Sequence, residues 1–290
     1  MQREIAARKP RRVNACLAEA FVDALGTLGV TPGSRVMLCL DESALLQTMP
    51  SPPLRGDSEG RARGKLMERT LALVGGDGLL AIPYHPLKEP KRDAFHHTPF
   101  SPQAARIEGL AGVLSARPGA CRSASPILAV AAVGRGAREL TANHLESAPF
   151  PMGRHSPWER LLTPPSATLV VSRGTRCFNP GLLLPAHQKP QDYLRPSFFH
   201  RPFSFRIAEA ANAPRDVAFH LHAVPFEPRY DLALHSDFGL FMDYLDDKYG
   251  LYRKARVGGL DLWACDLAEQ YAACLAEMKL DNYLEDARYW

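Results

Sequence analysis

The feature that most constrains the fold is a helix that leads directly into a short apolar strand. Apolar residues recur at helical spacing over residues 14–28, with Asn14 in position to cap the helix and Gly29 in position to end it. A tight turn and an apolar strand over residues 35–40 follow. A helix that feeds a buried strand is the building unit of α/β proteins, so we expect a sheet with helices packed on it.

The same pattern continues along the chain. Gly75-Gly76 separates a predicted helix over residues 65–74 from a predicted strand over residues 79–83. Further strands are predicted over 127–133, 168–172, 203–207 and 217–222, and further helices over 103–116 and 137–142. Helical spacing of Leu260, Trp263 and Leu267 predicts a C-terminal helical segment within residues 236–290. We therefore predict one α/β domain over residues 1–290, a layered mixed sheet flanked by helices.

Two segments are expected to lie outside this framework. Residues 48–64 are rich in proline, glycine and arginine, which predicts a mobile surface loop. Residues 1–12 form a basic, flexible tip whose cations account for the whole net charge of +4. Because the rest of the chain is neutral overall, its charge does not favour nucleic-acid binding.

The sequence also bears on the compartment. The basic tip lacks the apolar stretch that follows it in a secretory signal, and no apolar run reaches membrane-spanning length. The six cysteines are scattered without the close spacing of a metal or redox motif. We expect a cytoplasmic protein with reduced thiols and with neither a membrane nor a nucleic-acid partner.

Several common catalytic motifs are absent from the sequence. It contains no P-loop and no G-x-G-x-x-G, and it lacks G-x-S-x-G and H-E-x-x-H. Nucleotide binding by the first two routes, an ordinary serine hydrolase and a zinc peptidase are therefore not indicated.

The ten histidines raise the question of a metal site. His220 and His222 alternate along a predicted strand, so both would project from one face, and His235 is a candidate third ligand. Solvent-facing strand histidines explain the same spacing more simply, and we expect no metal. The adjacent pair His96-His97 is a weaker candidate, because neighbouring side chains point apart in extended chain.

An ordered series of motifs lies between residues 71 and 163. It consists of LALVGGDGLLAIP, HTPFSP, GVLSARPGACRSASPILAVAAVG, ARELTANHLESAPF and SPWERLL. In this order the motifs resemble the antibiotic N-acetyltransferase family, whose best-known members are the aminoglycoside 3-N-acetyltransferases. The resemblance implies acyl transfer from acetyl-CoA, or another CoA-type thioester, to a primary amine of a small molecule.

The resemblance places His144, in TANHLES, at the position of the family's histidine. Transfer from a thioester requires alignment of the reactants and removal of a proton from the attacking amine. A neutral imidazole suits that second task near pH 7, so His144 is the candidate general base. A histidine that interacts with a helix C-terminus explains the residue equally well.

The resemblance also implies a cofactor cleft near Thr98, Arg122 and Ser123. Arg122 would contact a phosphate or carboxylate, and the two hydroxyls would supply hydrogen bonds. Equally, Thr98 can cap a turn, and Arg122-Ser123 can shape the start of a strand. Trp158, in SPW, is expected to be a core residue.

The sequence departs from the family where polar site residues are expected. Asp41 and Glu42 follow the first strand in place of a histidine and serines, and Ala186 replaces a glutamate. Asp41 and Glu42 are therefore candidates for the substrate-side carboxylates, and the acceptor is expected to be an amine of specialised-metabolite or sugar biosynthesis. Two alternatives stay open: a non-catalytic relative that binds a partner, and a different enzyme on the same scaffold that uses a metal.

Overall fold

The computed structural model describes residues 11–47, 57–86, 98–173, 203–208, 213–219 and 242–280, together with residues 184, 188 and 239. The helices are α1 (Arg11–Thr27), α2 (Glu42–Gln47), α3 (Asp57–Val74), α4 (Gly109–Ser115), α5 (Ala137–Thr141), α6 (Pro157–Leu162), α7 (residues 242–249) and α8 (Leu267–Leu280), and His144–Ser147 form a 3-10 turn. The strands are β1 (Arg35–Cys39), β2 (Leu79–Tyr84), β3 (Thr98–Phe100), β4 (Cys121–Arg122), β5 (Ala129–Gly134), β6 (Thr168–Ser172), β7 (Phe203–Ile207), β8 (Arg215–Phe219), β9 (Arg253–Val257) and β10 (Leu260–Asp266).

The main sheet is mixed, as the sequence predicts. Its described strands lie in the order β4-β5-β2-β1-β6-β10-β9. The central strands β2, β1 and β6 are parallel, and antiparallel pairs extend the sheet on both sides. Strand β2, which follows β1 in the chain, lies beside β1 on one side, and the later strand β6 lies beside β1 on the other side. This reversal of strand order around β1 is where open α/β sheets commonly bind ligands, at the carboxyl ends of the strands.

Helices cover both faces of this sheet. Alternate residues of β1 enter different apolar clusters, Val36 and Leu38 on one face and Met37 and Cys39 on the other. Helices α1, α3 and α4 contribute to the first cluster, and α5, α6 and α8 contribute to the second. The layered α/β prediction is confirmed by this arrangement.

A smaller sheet of strands β3, β7 and β8 packs on the second cluster. Strand β3 runs parallel to β7, and β8 pairs with β7 in antiparallel orientation. Phe205 and Phe219 are fully buried, with ring centroids 6.5 Å apart, and Phe100 joins the same apolar cluster. The side chain of Phe100 is thereby taken into the core.

Three predicted segment boundaries are wrong. Helix α1 already includes Arg11 and Arg12, which were expected in the flexible tip over 1–12, so Asn14 lies within the helix and is not its cap. Helix α3 begins at Asp57, so residues 57–64 are helical, although they were expected in the mobile loop over 48–64. A row of helix-compatible charged residues outweighs the local glycines there, and the amphipathic helix packs on α1 and α4. The helix predicted over residues 103–116 is shorter than expected: α4 begins only at Gly109, and residues 103–108 form a turn and irregular chain.

The C-terminal segment is not helical throughout. Residues 253–266 form the hairpin β9–β10, which extends the main sheet beside β6. Gly258-Gly259 joins the strands, and Gly258 has a φ of 59°, a conformation suited to a two-residue hairpin turn. The spacing of Leu260, Trp263 and Leu267 fits a helix only by coincidence. Pairing with β6 makes residues 260–266 a strand. Helices α7 and α8 supply the helical part of the prediction.

Candidate functional site

A cleft lies at the carboxyl ends of the parallel strands β1 and β2. Its volume is about 130 Å³. The lining residues are mostly apolar, with one imidazole, one thiol and one carboxylate: Leu38, Cys39, Leu40, Glu42, Ile82, Pro83, His85 and Leu110. The position matches the ligand-binding end of an open α/β sheet. Ordinary small-molecule pockets have volumes of roughly 300–1,000 Å³, so this cleft is smaller than a typical ligand pocket.

Asp41 and Glu42 meet at this end of the sheet, but both carboxylates already serve the fold. Asp41 caps α2 by accepting a 3.0 Å hydrogen bond from the backbone N–H of Ala44. Glu42 accepts a 2.7 Å hydrogen bond from the Leu110 N–H and a 3.1 Å charged one from Arg63 Nε. These contacts argue against a primary role for either carboxylate in holding an amine.

The pKa of Glu42 reflects competing effects. Burial raises the pKa of its carboxyl above the ordinary value, against the lowering effects of the Leu110 N–H and of Arg63. Gly109 lies so close to the carboxylate, with a φ of +65°, that a Cβ there would collide with it. The loop before α4 is therefore built around Glu42.

Of the expected cofactor residues, Arg122 and Ser123 do not line this cleft, and only the backbone of Thr98 is described. Thr98 begins β3, where its backbone pairs with Phe205 of the smaller sheet. Arg122 lies on the short strand β4 and is exposed; its Nη2 donates a 3.2 Å hydrogen bond to the carbonyl of Gln103. This hydrogen bond links the exposed Arg122 to the chain before α4.

Ser123 and His144 are brought together in the interior. Ser123 is 1% exposed and His144 is 0% exposed. His144 Nε2 lies 2.7 Å from the carbonyl oxygen of Pro151, and Nδ1 lies 2.8 Å from Ser123 Oγ. Since a carbonyl can only accept, Nε2 carries the proton and Nδ1 accepts from the Ser123 hydroxyl. Ser123 Oγ in turn accepts a 2.8 Å hydrogen bond from the Val130 N–H.

This network fixes the protonation state of His144. Desolvation, the largest effect, lowers the pKa of His144 to about 4; Arg160 also lowers it, and the Pro151 hydrogen bond raises it. Both ring nitrogens are used, and the ring lies among buried residues rather than in the cleft. A base must reach the proton that it removes. The geometry therefore favours a structural role for His144 over the catalytic role that the resemblance implied.

The SPW motif also serves the fold. Ser156 caps α6 by accepting a 3.3 Å hydrogen bond from the Glu159 N–H. Trp158 is 0% exposed, and its indole N–H donates to the carbonyl of Leu128 at 3.3 Å. Trp158 is thus the core residue expected from the sequence.

His85 was missed as a site residue by the sequence reasoning. It follows directly after β2, its side chain is exposed, and it lines the cleft. The signal was available in its position, because residues just after parallel strands lie at the ligand-binding edge. The motif comparison instead drew attention to His144.

The metal hypothesis falls on residues of which the structure says nothing. His96, His97, His220, His222 and His235 lie outside the described residues. Within the described ranges, no group of three or more histidine, cysteine, aspartate or glutamate residues is arranged to hold a metal ion. No helix in those ranges combines the length and the apolarity needed to cross a membrane.

Comparison with known proteins identifies the fold. The family model described as aminoglycoside 3-N-acetyltransferase matches residues 59–177, which confirms the resemblance seen in the motifs. A search of curated proteins found no match.

Solved structures match over most of the chain. The chain is similar to aminoglycoside acetyltransferase AAC(3)-Xa, with a TM-score of 0.67, 21% identity, and coverage of 90% of this chain and 92% of that one. It is also similar to AAC-IIIb in a binary structure with CoASH (TM-score 0.64, 18% identity, 91% and 96% covered). The third is sisomicin-bound AAC-VIa (TM-score 0.63, 19% identity, 91% and 97% covered). At these identities the likeness establishes a shared fold.

Proposed function

We propose that this chain, whose fold and central segment resemble those of the aminoglycoside 3-N-acetyltransferases, is an N-acyltransferase. It would move an acyl group from a CoA-type thioester to a primary amine of a small molecule. The observation that carries the proposal is the cleft at the carboxyl ends of β1 and β2, with β2 inside the matched segment 59–177. That the similar AAC-IIIb was solved with CoASH supports the choice of donor.

The cleft suits the thioester end of such a donor. Its walls are formed largely by aliphatic side chains, among them Leu38, Leu40 and Ile82. They would bury an uncharged acyl group and the adjoining arm, while the charged diphosphate would lie outside. Arg122, exposed on β4, is the candidate for a contact with that diphosphate. When bound, the thioester supplies an activated acyl group, and the protein's task is to align the reactants and exclude water.

The acceptor is proposed to carry few positive charges. Recognition of a polycationic aminoglycoside requires several free carboxylates facing it. Of the described cleft residues, only Glu42 carries a carboxylate, and Arg63 and the Leu110 N–H occupy it. We therefore favour an amine of specialised-metabolite or sugar biosynthesis over a role in aminoglycoside resistance.

Calorimetry with acetyl-CoA tests the donor. Leu40→Trp places a large ring in the cleft and should weaken acetyl-CoA binding at least tenfold. Leu73→Trp replaces another half-buried leucine, on α3 and away from the cleft, and should leave the Kd unchanged. Transfer is then assayed by mass shift with D-glucosamine and sisomicin as acceptors, and D-glucosamine should be preferred. Equal weakening by both tryptophan variants would refute the assigned cleft.

A non-catalytic relative is the second candidate. It is favoured by the buried network of Ser123 and His144, since these matched positions serve stability here. If wild-type protein shows no saturable binding of acetyl-CoA, this second function replaces the first.

A further inference from the structure

The proposed reaction needs a base that the buried histidine does not provide. The attacking amine must lose a proton as it bonds to the acyl carbon, and a positioned base accelerates that step by roughly 10²–10⁴-fold. His144 is enclosed, with both ring nitrogens bonded to protein atoms. Among the described residues, those that line the cleft are the candidates for this task.

The described cleft residues offer three side chains with proton-accepting atoms. Each carboxylate oxygen of Glu42 already accepts a hydrogen bond, one from the Leu110 N–H and the other from Arg63 Nε. Cys39 is 3% exposed at the end of β1, and a thiol is a weak base near neutral pH. His85 is exposed, follows directly after β2 and projects into the same cleft wall.

We propose that His85 is the general base of the acyl transfer and hence a catalytic residue of this chain; this inference rests on the proposed function. Its place at the end of β2 puts an imidazole beside the aliphatic walls assigned to the thioester. His85 is an exposed residue, so an amine arriving from outside can approach it.

The electrostatic setting of His85 fits this role. Desolvation by the surrounding protein lowers the pKa of His85 below the ordinary histidine value. Near pH 7 the imidazole is therefore neutral and able to accept a proton. In the described part of the chain, the titratable or charged groups that line the same cleft are Glu42 and Cys39, and Arg63 forms an ion pair with Glu42.

The step balances without a further reactant. The amine nitrogen attacks the thioester carbonyl carbon, forming a C–N bond, while His85 takes the proton from that nitrogen. The C–S bond breaks, its electron pair goes to sulfur, and the protonated imidazole returns the proton to the thiolate. The products are the N-acylated amine and free CoASH, and His85 is neutral again.

The experiment combines kinetics with chemical footprinting of the full chain. His85→Gln removes the base with a side chain of similar size. His155→Asn is the matched control, because His155 is an exposed histidine outside the cleft with a φ of 67°, a conformation that asparagine tolerates. Transfer from acetyl-CoA to D-glucosamine and to sisomicin is measured from pH 5 to 9. Added imidazole is then tested for rescue.

The expected result has four parts. The variant His85→Gln binds acetyl-CoA with an unchanged Kd, but its kcat falls by roughly 10²–10⁴-fold. The wild-type rate rises with pH to a plateau, with a midpoint below the ordinary histidine value of about 6.5, and this rise is absent in the variant. Imidazole restores part of the variant's rate. Diethyl pyrocarbonate modifies His85 in the free protein, and acetyl-CoA protects it.

The outcomes separate this inference from the proposed function. If acetyl-CoA does not bind the wild-type protein, the proposed function fails and takes the inference with it. If acetyl-CoA binds but leaves His85 unprotected, or if His85→Gln transfers at the wild-type rate, only the role of His85 is overturned. Binding with protection but no transfer to either amine also overturns that role and leaves His85 as a cofactor contact.

Discussion

Burial of a neutral histidine predicts a specific loss of stability in mild acid. The pKa of His144 is lowered to about 4 in the folded chain, against an ordinary value of about 6.5 when unfolded. Between these values the unfolded chain binds a proton that the folded chain does not. Titration of His144 therefore leaves stability independent of pH above about pH 6.5, and the folded state loses stability progressively as the pH falls towards 4.

The size of the effect follows from the two pKa values. Each unit of pKa difference corresponds to about 1.4 kcal/mol, so the total reaches about 3 kcal/mol at and below pH 4. At pH 4.5 most of it, about 2–3 kcal/mol, is already lost. Because the ring is 0% exposed, no solvent screening reduces this figure.

Urea unfolding at pH 7.5 and at pH 4.5 measures the effect. His144→Gln has no titrating ring, so its stability should fall by about 2–3 kcal/mol less between the two pH values than that of the wild type. The exposed control His155→Asn should follow the wild type. Equal pH dependence of wild type and His144→Gln would refute the buried network.

A direct titration covers the case in which His144→Gln does not fold. The ring signals of His144 in the wild-type protein should titrate near pH 4 by nuclear magnetic resonance. A midpoint near 6.5 would instead indicate a solvent-reachable imidazole and would revive its catalytic candidacy.

Three further substitutions test contacts that shape the site. Ser123→Ala leaves two buried partners without their hydrogen bonds and should cost about 2–4 kcal/mol in the free energy of unfolding, measured with urea; a loss below 1 kcal/mol would contradict the network. Glu42→Ala removes the charged acceptor of the Leu110 N–H and should cost about 1–3 kcal/mol, with no loss expected if Glu42 faces only substrate. Gly134→Ala should prevent folding or cost about 3 kcal/mol or more in the free energy of unfolding, measured by thermal unfolding. Gly134 has a φ of +112°, and a Cβ there would collide with the Gly78 carbonyl oxygen. A stable variant would contradict this close contact between β5 and the chain before β2.

The strands of the core were predictable because their signal is local. Residues 35–39 and 168–172 are short, apolar and bounded by turns, and both are buried parallel strands. Hairpin β9–β10 was not predicted, although Gly258-Gly259 between apolar runs is a hairpin signal. Helical spacing over residues 260–278 outweighed that signal, and only pairing with β6 decides between the two patterns.

The candidate site was harder to predict, because residue identity does not reveal which way a side chain faces. Asp41 and Glu42 were correctly placed at the end of β1, but their use as caps depends on where α2 and α4 begin. Ser123 and His144 were matched to the family by sequence, yet both side chains are buried and are hydrogen-bonded to each other. A motif match reports that a residue type is present, and it cannot report solvent access.

Under the proposal, the two histidines serve different purposes. His144 joins the turn at Ser123 to the chain at Pro151, and this stabilises the loop whether or not the ring ever meets a substrate. A buried network of that kind is costly to remove, because each member would leave an unpaired polar group. The catalytic task can meanwhile pass to any base that reaches the cleft, since transfer from a thioester asks chiefly for alignment and one proton acceptor. In our proposal His85 meets that requirement from the end of β2. Stability then depends on the imidazole of His144 and activity on that of His85. The variants His144→Gln and His85→Gln separate the two effects.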